Sequence, residues 1–209
     1  MLEVAAQRLV MSVALLEESE ISERWWHVFY PLAAEIAADR GDLPRTRSLA
    51  DRYLGCAVHQ AAEAVKLCVL APLARAEVDA FLRGESSDES RGQGVVSQME
   101  KILNDYPPLV QAWTSLLTPS QSLTFARAEL SRTRRPEVDA WTRALHSADY
   151  AYYRTYAAFR LAEATIDSGQ IGAAQSRLQQ AFDEASRMRF AHLSRRIARV
   201  AQAAGESLR

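Results

Sequence analysis

The stretch Tyr156–Met188, YAAFRLAEATIDSGQIGAAQSRLQQAFDEASRM, reads as two helices and the turn between them. In its second half Ile171, Ala174, Leu178, Ala181, Phe182 and Ala185 recur at a spacing that gathers them on one helical face. In its first half Ala158, Leu161, Ala162 and Thr165 form a matching stripe of small and apolar residues. Gly169 breaks the pattern between them, so the two helices are expected to pack antiparallel across a short turn. Neither can bury its stripe alone.

Copies of the unit lie to either side. Ala34-Glu35-Ile36-Ala37-Ala38-Asp39-Arg40-Gly41-Asp42-Leu43 aligns with Ala162 to Ile171, with alanine, glutamate, aspartate and glycine coinciding at the turn and on the preceding helix. Toward the end, Phe190, Leu193, Ile197, Val200, Ala201 and Ala204 repeat the offsets seen from Ile171 to Ala185, which predicts a last helix that packs on the repeat before it or caps the stack.

Composition agrees with helices. Apolar residues make up 48% of the 209-residue chain and charged ones 24%, while glycine (8) and proline (7) are scarce and alternating β-branched runs are absent. A formal net charge of −1 argues against a dedicated nucleic-acid-binding domain. No apolar run is long enough for a membrane span, and Glu3 with no basic leader does not read as a secretory signal, so a cytoplasmic location is expected. Cys56 and Cys68, in alanine-rich helical sequence, read as reduced thiols.

Along the chain, an opening helix carries Ala5, Leu9, Val13 and Leu16 and ends in Glu17, Glu18 and Glu20. A helix through Trp25, Trp26, Phe29 and Tyr30 holds Pro31 as a kink or junction, and Asp42 with Pro44 starts the next, which runs to Gly55. A long helix from His59 to Leu82 is interrupted by Pro72. Gly84 to Gly94, GESSDESRGQG, has no apolar residue and reads as an exposed, mobile loop. Short helices follow over Val95–Leu103 and Pro108–Leu117, and Thr118-Pro119 marks a helix start. The next helix is expected to bury Val138, Trp141, Leu145 and Ala148.

The central stretch resembles a tetratricopeptide repeat (TPR): Ala174, Leu178 and Ala181 stand at the small-large-small positions of its second helix, and Leu161-Ala162 take the place of Leu-Gly in the first. Ala158, Thr165 and Ser186 replace the usual Trp, Tyr and Pro. The run from Thr124 onward, with RPEVDAW (Arg135–Trp141), YRTYAAFRLAEA (Tyr153–Ala164) and GQIGAAQSRLQQAFDEA (Gly169–Ala185), is similar to the helical-repeat region of large bacterial ATP-dependent regulators of the LuxR and maltose-regulator type. The likeness covers the last third of the chain well, the first hundred residues loosely, and the loop after Gly84 not at all.

The expected fold is therefore all-α: TPR-like antiparallel helix hairpins stacked in a right-handed superhelix, an α-solenoid. The expected organisation is N-terminal repeats over 1–83, a mobile polar loop over 84–95, and repeats with a terminal capping helix over 96–209, forming one continuous solenoid. The resemblance implies a non-catalytic regulatory or coupling segment that binds a protein domain, a peptide or a small effector; the alternative is a free-standing TPR adaptor. No G-x-x-x-x-G-K-[ST] loop occurs, and His27, His59, His146 and His192 stand isolated, with no H-E-x-x-H and no nucleophile beside a base. No catalytic residue, metal or cofactor is expected.

In the repeat frame the exposed inner positions are Tyr156, Phe159, Glu163 and Asp167, with Glu35 and Asp39 at the earlier places. They would line a concave groove in which paired carboxylates hold basic groups of a partner; the alternative is a solvated helix face. On this reading alanine at Glu35 or Glu163 leaves stability nearly unchanged. Tyr150, Tyr152, Tyr153, Tyr156 and Phe159, with Arg154 and Arg160 among them, could stack an effector or simply pack a core. Arg187, Arg189, Arg195, Arg196, Arg199 and Arg209 read as a basic solvent face, and no direct contact with nucleic acid or membrane is expected.

Overall fold

Alanine-rich stripes broken by glycines and capping residues give helices throughout the computed structural model, which describes residues 26–55, 61–105, 117–134 and 137–205. Among the described residues there are nine α-helices and no strand: α1 Trp26–Asp39, α2 Leu43–Gly55, α3 Ala61–Leu82, α4 Ser90–Asp105, α5 Pro119–Ser131, α6 Val138–Ser147, α7 Ala151–Asp167, α8 Ile171–Arg187 and α9 Ala191–Ala203. The opening helix with its glutamates, Trp25, Cys56, His59, Arg135, Pro136, Arg209 and most of the helix expected over Pro108–Leu117 lie outside the described residues. The chain divides into two compact units, one up to Thr133 and one from Arg134.

In the first unit α3 is the central element, packed by α1, α2, α4 and α5. Its sequence explains the position: residues 67–78 are buried on every side, as in a helix surrounded by others. Pro31 and Pro72 lie inside continuous helices, so neither divides its helix in two. Three alternating charges in the second half of α3 each reach a different neighbour. Arg75 pairs with Glu35 of α1 at 2.7 Å, Glu77 accepts two hydrogen bonds from Arg47 of α2 at 2.6 and 2.7 Å, and Asp79 meets Arg132 at the end of α5 at 2.7 Å. Successive odd positions on a helix point about 200° apart, which lets one helix hold partners on different sides.

The 84–95 loop requires a correction. The turn is confined to 83–89, α4 begins at Ser90, and Gly92 is buried on it. A Cβ at Gly92 would lie 3.3 Å from Val78 Cγ2 and 3.5 Å from Leu130 Cδ1. The stretch lacks apolar side chains because its contact is made by backbone, where the absence of a side chain is what lets α4 approach.

The second unit runs α6 on α7, α7 on α8 and α8 on α9, with α9 also reaching α7. Leu161, Ala162, Ala174, Leu178, Ala181 and Ala185 are buried, while Ala158 and Phe182 are half-buried and Ile171, expected on the same face, is exposed at the start of α8. On α6, Trp141 and Ala148 are buried, while Val138 and Leu145 are half-buried.

One turn recurs. At the end of α1, Gly41 has φ 74°, and the Asp42 amide donates to the Ala37 carbonyl at 2.9 Å. At the end of α7, Gly169 has φ 83°, and the Gln170 amide donates to the Thr165 carbonyl at 3.0 Å. The two aligned segments thus share a Schellman termination in the same register. After α3 the Glu85 amide reaches Ala80 at 2.9 Å past Gly84 (φ 73°), and after α8 the Phe190 amide reaches Ala185 at 2.8 Å past Arg189 (φ 60°). Asp42 then caps α2, accepting from the Arg45 amide at 3.0 Å. Thr118 and Gln121 close a reciprocal capping box on α5, with Pro119 at its first position.

Candidate functional site

The carboxylates expected on an exposed inner face do not share one environment. Glu35 is only 8% exposed. Arg75, itself buried, holds its carboxylate by one guanidinium nitrogen and donates from another to the Glu35 main-chain carbonyl at 3.0 Å. The expectation of an open position at Glu35 is therefore corrected: its partner comes from a helix 40 residues further on, a pairing that no local pattern encodes. Asp39, one turn later, is half-buried.

On α7 the aligned pair is more open. Glu163 retains 25% side-chain exposure and accepts from Arg160 at 2.6 Å, and Asp167 is exposed on the final turn.

Tyr156 and Phe159 are not exposed either; each is 1% accessible. Both sit in an aromatic cluster. The Tyr156 ring meets Trp141 edge-on at 6.0 Å, lies parallel to Tyr152 at 6.4 Å and meets Phe159 edge-on at 6.5 Å, while Phe190 meets Tyr152 edge-on at 5.4 Å. Two guanidinium groups share two of these rings. Arg160 lies 5.2 and 5.4 Å from the centroids of Tyr156 and Phe159, and Arg196 from α9 lies 5.9 and 5.8 Å from the same two. Arg160 also donates to the Tyr156 hydroxyl at 2.8 Å. The cluster joins α6, α7 and α9, with Tyr153 buried and Tyr152 half-buried beside it. Packing occupies these rings, which is the core reading of the aromatics.

The arginines near the end of the chain separate by role. Arg196 is engaged by the rings, and Arg187 pairs with Glu184, whose carboxyl it holds below the usual range chiefly by hydrogen bonding. Arg189, Arg195 and Arg199 are exposed. Sequence reasoning grouped all of these by charge alone; their spacing against the buried Leu193, Ile197 and Ala201 is the signal that separates them.

Cys68 is a buried free thiol that donates to the Leu117 carbonyl at 3.3 Å. Among the described residues no three His, Cys, Asp or Glu side chains gather as metal ligands do, and no helix is long and apolar enough to cross a membrane. Comparison with protein-family models, with curated proteins and with solved structures finds no match to this chain.

Proposed function

We propose that this chain is a non-catalytic, TPR-like coupling segment of a LuxR-type transcriptional regulator, acting in the cytoplasm and binding a protein domain, peptide or small effector. The observation that carries the reading is the α7–α8 hairpin: Ala174, Leu178 and Ala181 are buried at the small-large-small positions, and the turn at Gly169 has its counterpart at Gly41. Stacked hairpins of this kind present side chains on an inner surface while their small residues form the packing, which suits recognition better than chemistry. Glu163 and Asp167 are the acidic positions on this helix that such recognition would use, with Tyr152 about three turns before Glu163.

The test is genetic. Deleting the gene in its native host is expected to change transcription of a defined set of operons, restored by the wild-type gene but not by one carrying Glu163→Ala and Asp167→Ala at equal protein level. An unchanged transcript profile on deletion contradicts the regulatory role and leaves the free-standing adaptor as the better reading.

A further inference from the structure

We infer that the outer face of α9, together with the turn that precedes it, docks an acidic α-helix of a protein partner. The inference begins at Arg189. Helix ends at Gly41, Gly84, Gly169 and Gly205 all use glycine for the left-handed residue, and Arg189, at φ 60°, is the non-glycine residue with positive φ among those described. A side chain there strains the backbone, and strain that persists calls for a compensating contact. Within the chain the turn is closed by the Arg189 amide donating to the Ser186 carbonyl at 3.1 Å and the Phe190 amide donating to the Ala185 carbonyl at 2.8 Å, while the Arg189 side chain is exposed and makes no hydrogen bond or ion pair among the described residues. A cation also suits the C-terminal end of α8, but Arg187 already occupies the last turn. The Arg189 guanidinium is therefore open to a contact outside the chain.

Two further exposed cations follow on α9. Leu193, Ile197 and Ala201 form the buried stripe of α9, and Arg195 and Arg199 each lie two residues beyond a stripe member, about 200° around the helix and so roughly opposite it. Arg195 donates to the main-chain carbonyl of Ala191, and Arg199 has no bonded partner among the described residues. Elsewhere guanidinium groups are matched with carboxylates, as at Arg47, Arg75, Arg132 and Arg160. No acidic residue occurs from Phe190 to Gly205.

Charge complementarity selects the partner. Arg195 and Arg199 stand one turn apart, a rise of about 6 Å, which matches carboxylates at i and i+4 on a facing helix. Apart from the exposed Met188 in the turn the face is polar, so docking is mainly electrostatic and sensitive to salt. A nucleic acid fits less well: the chain has a net charge of −1, without the basic excess of a nucleic-acid-binding domain. This inference concerns a different surface from Glu163 and Asp167 and does not rest on the regulatory reading.

The test uses the full chain and a fluorescent alanine-based helical peptide with glutamates at i and i+4, read by anisotropy. Binding at low salt is expected, weakened roughly ten-fold or more by the double variant Arg195→Glu, Arg199→Glu. Arg189→Gly provides the control against misfolding, since it relieves the positive φ: its melting temperature is expected to rise while peptide affinity falls. Absence of binding, or affinity unchanged in both variants, overturns the inference. Tighter binding of a duplex DNA that is lost in the same variants overturns it as well, in favour of a nucleic-acid face.

Discussion

Arg75 grips Glu35 twice, by an ion pair of 2.7 Å to the carboxylate and a hydrogen bond of 3.0 Å to its main-chain carbonyl, inside the first unit. A buried guanidinium left without its carboxylate is costly, so Glu35→Ala is expected to destabilise by about 3–5 kcal/mol. Replacing both residues with leucine is expected to cost less than that single change, because no charge is then stranded. Glu163→Ala, at the aligned but more open position, is expected to cost only about 1–2 kcal/mol. Urea unfolding of the variants checks the order. Equal losses at Glu35 and Glu163 would show that the two positions are alike after all.

The turn glycines give a second, sharper contrast. Gly169→Ala and Gly41→Ala place a Cβ at positive φ and are expected to cost about 1–2 kcal/mol each. Gly172 lies in the first turn of α8 with ordinary φ and open space around its Cβ, so Gly172→Ala is expected to stabilise by about 0.4–1 kcal/mol. Thermal melting should move in opposite directions for substitutions three residues apart.

Gly92 tests whether α4 begins where the structure places it. A leucine there would press on Val78 and Leu130 across the α3–α5 side of the helix and is expected to cost about 1–3 kcal/mol by overpacking. Gly94→Leu, with nothing near its Cβ, is expected to be tolerated. In a mobile loop the two would behave alike.

The start of α4 also carries a pH dependence. The Ser90 hydroxyl and amide donate to Asp88, aided by Arg91, and hold its carboxyl below the ordinary value of 3.8. Arg83 does the same to Glu85, by hydrogen bonding first and charge second. For groups whose folded pKa is depressed, the stabilisation is complete above the unfolded value and is lost as pH falls through the folded one. Amide exchange at Ser90 should therefore stay slow at neutral pH and accelerate, beyond the intrinsic rate, only below about pH 4. In Asp88→Ala, which removes the acceptor, it should be fast throughout.

What the sequence revealed, and what it hid, follows the range of the interactions. The Gly41 and Gly169 turns, the Thr118-Pro119 cap and the stripe from Ala174 to Ala185 are local, set by residues a few positions apart, and each is present where the pattern placed it. Arg189 escaped notice because the turn was sought through glycine. Gly92 was misread because polar sequence looks solvated when the contact belongs to the backbone. Glu35, Tyr156 and Phe159 fall on an open face by pattern alone, because helical periodicity states which residues share a side but not what lies against it. Arg75 closes one of those sides and the Trp141, Tyr152 and Arg196 cluster closes the other.

Reading the coding sequence on both sides of this chain in its native locus tests the coupling-segment account most directly. That account predicts one open frame with a phosphate-binding loop upstream and a DNA-binding helix-turn-helix downstream. Stop codons immediately at both ends would contradict it and make the chain a self-contained adaptor.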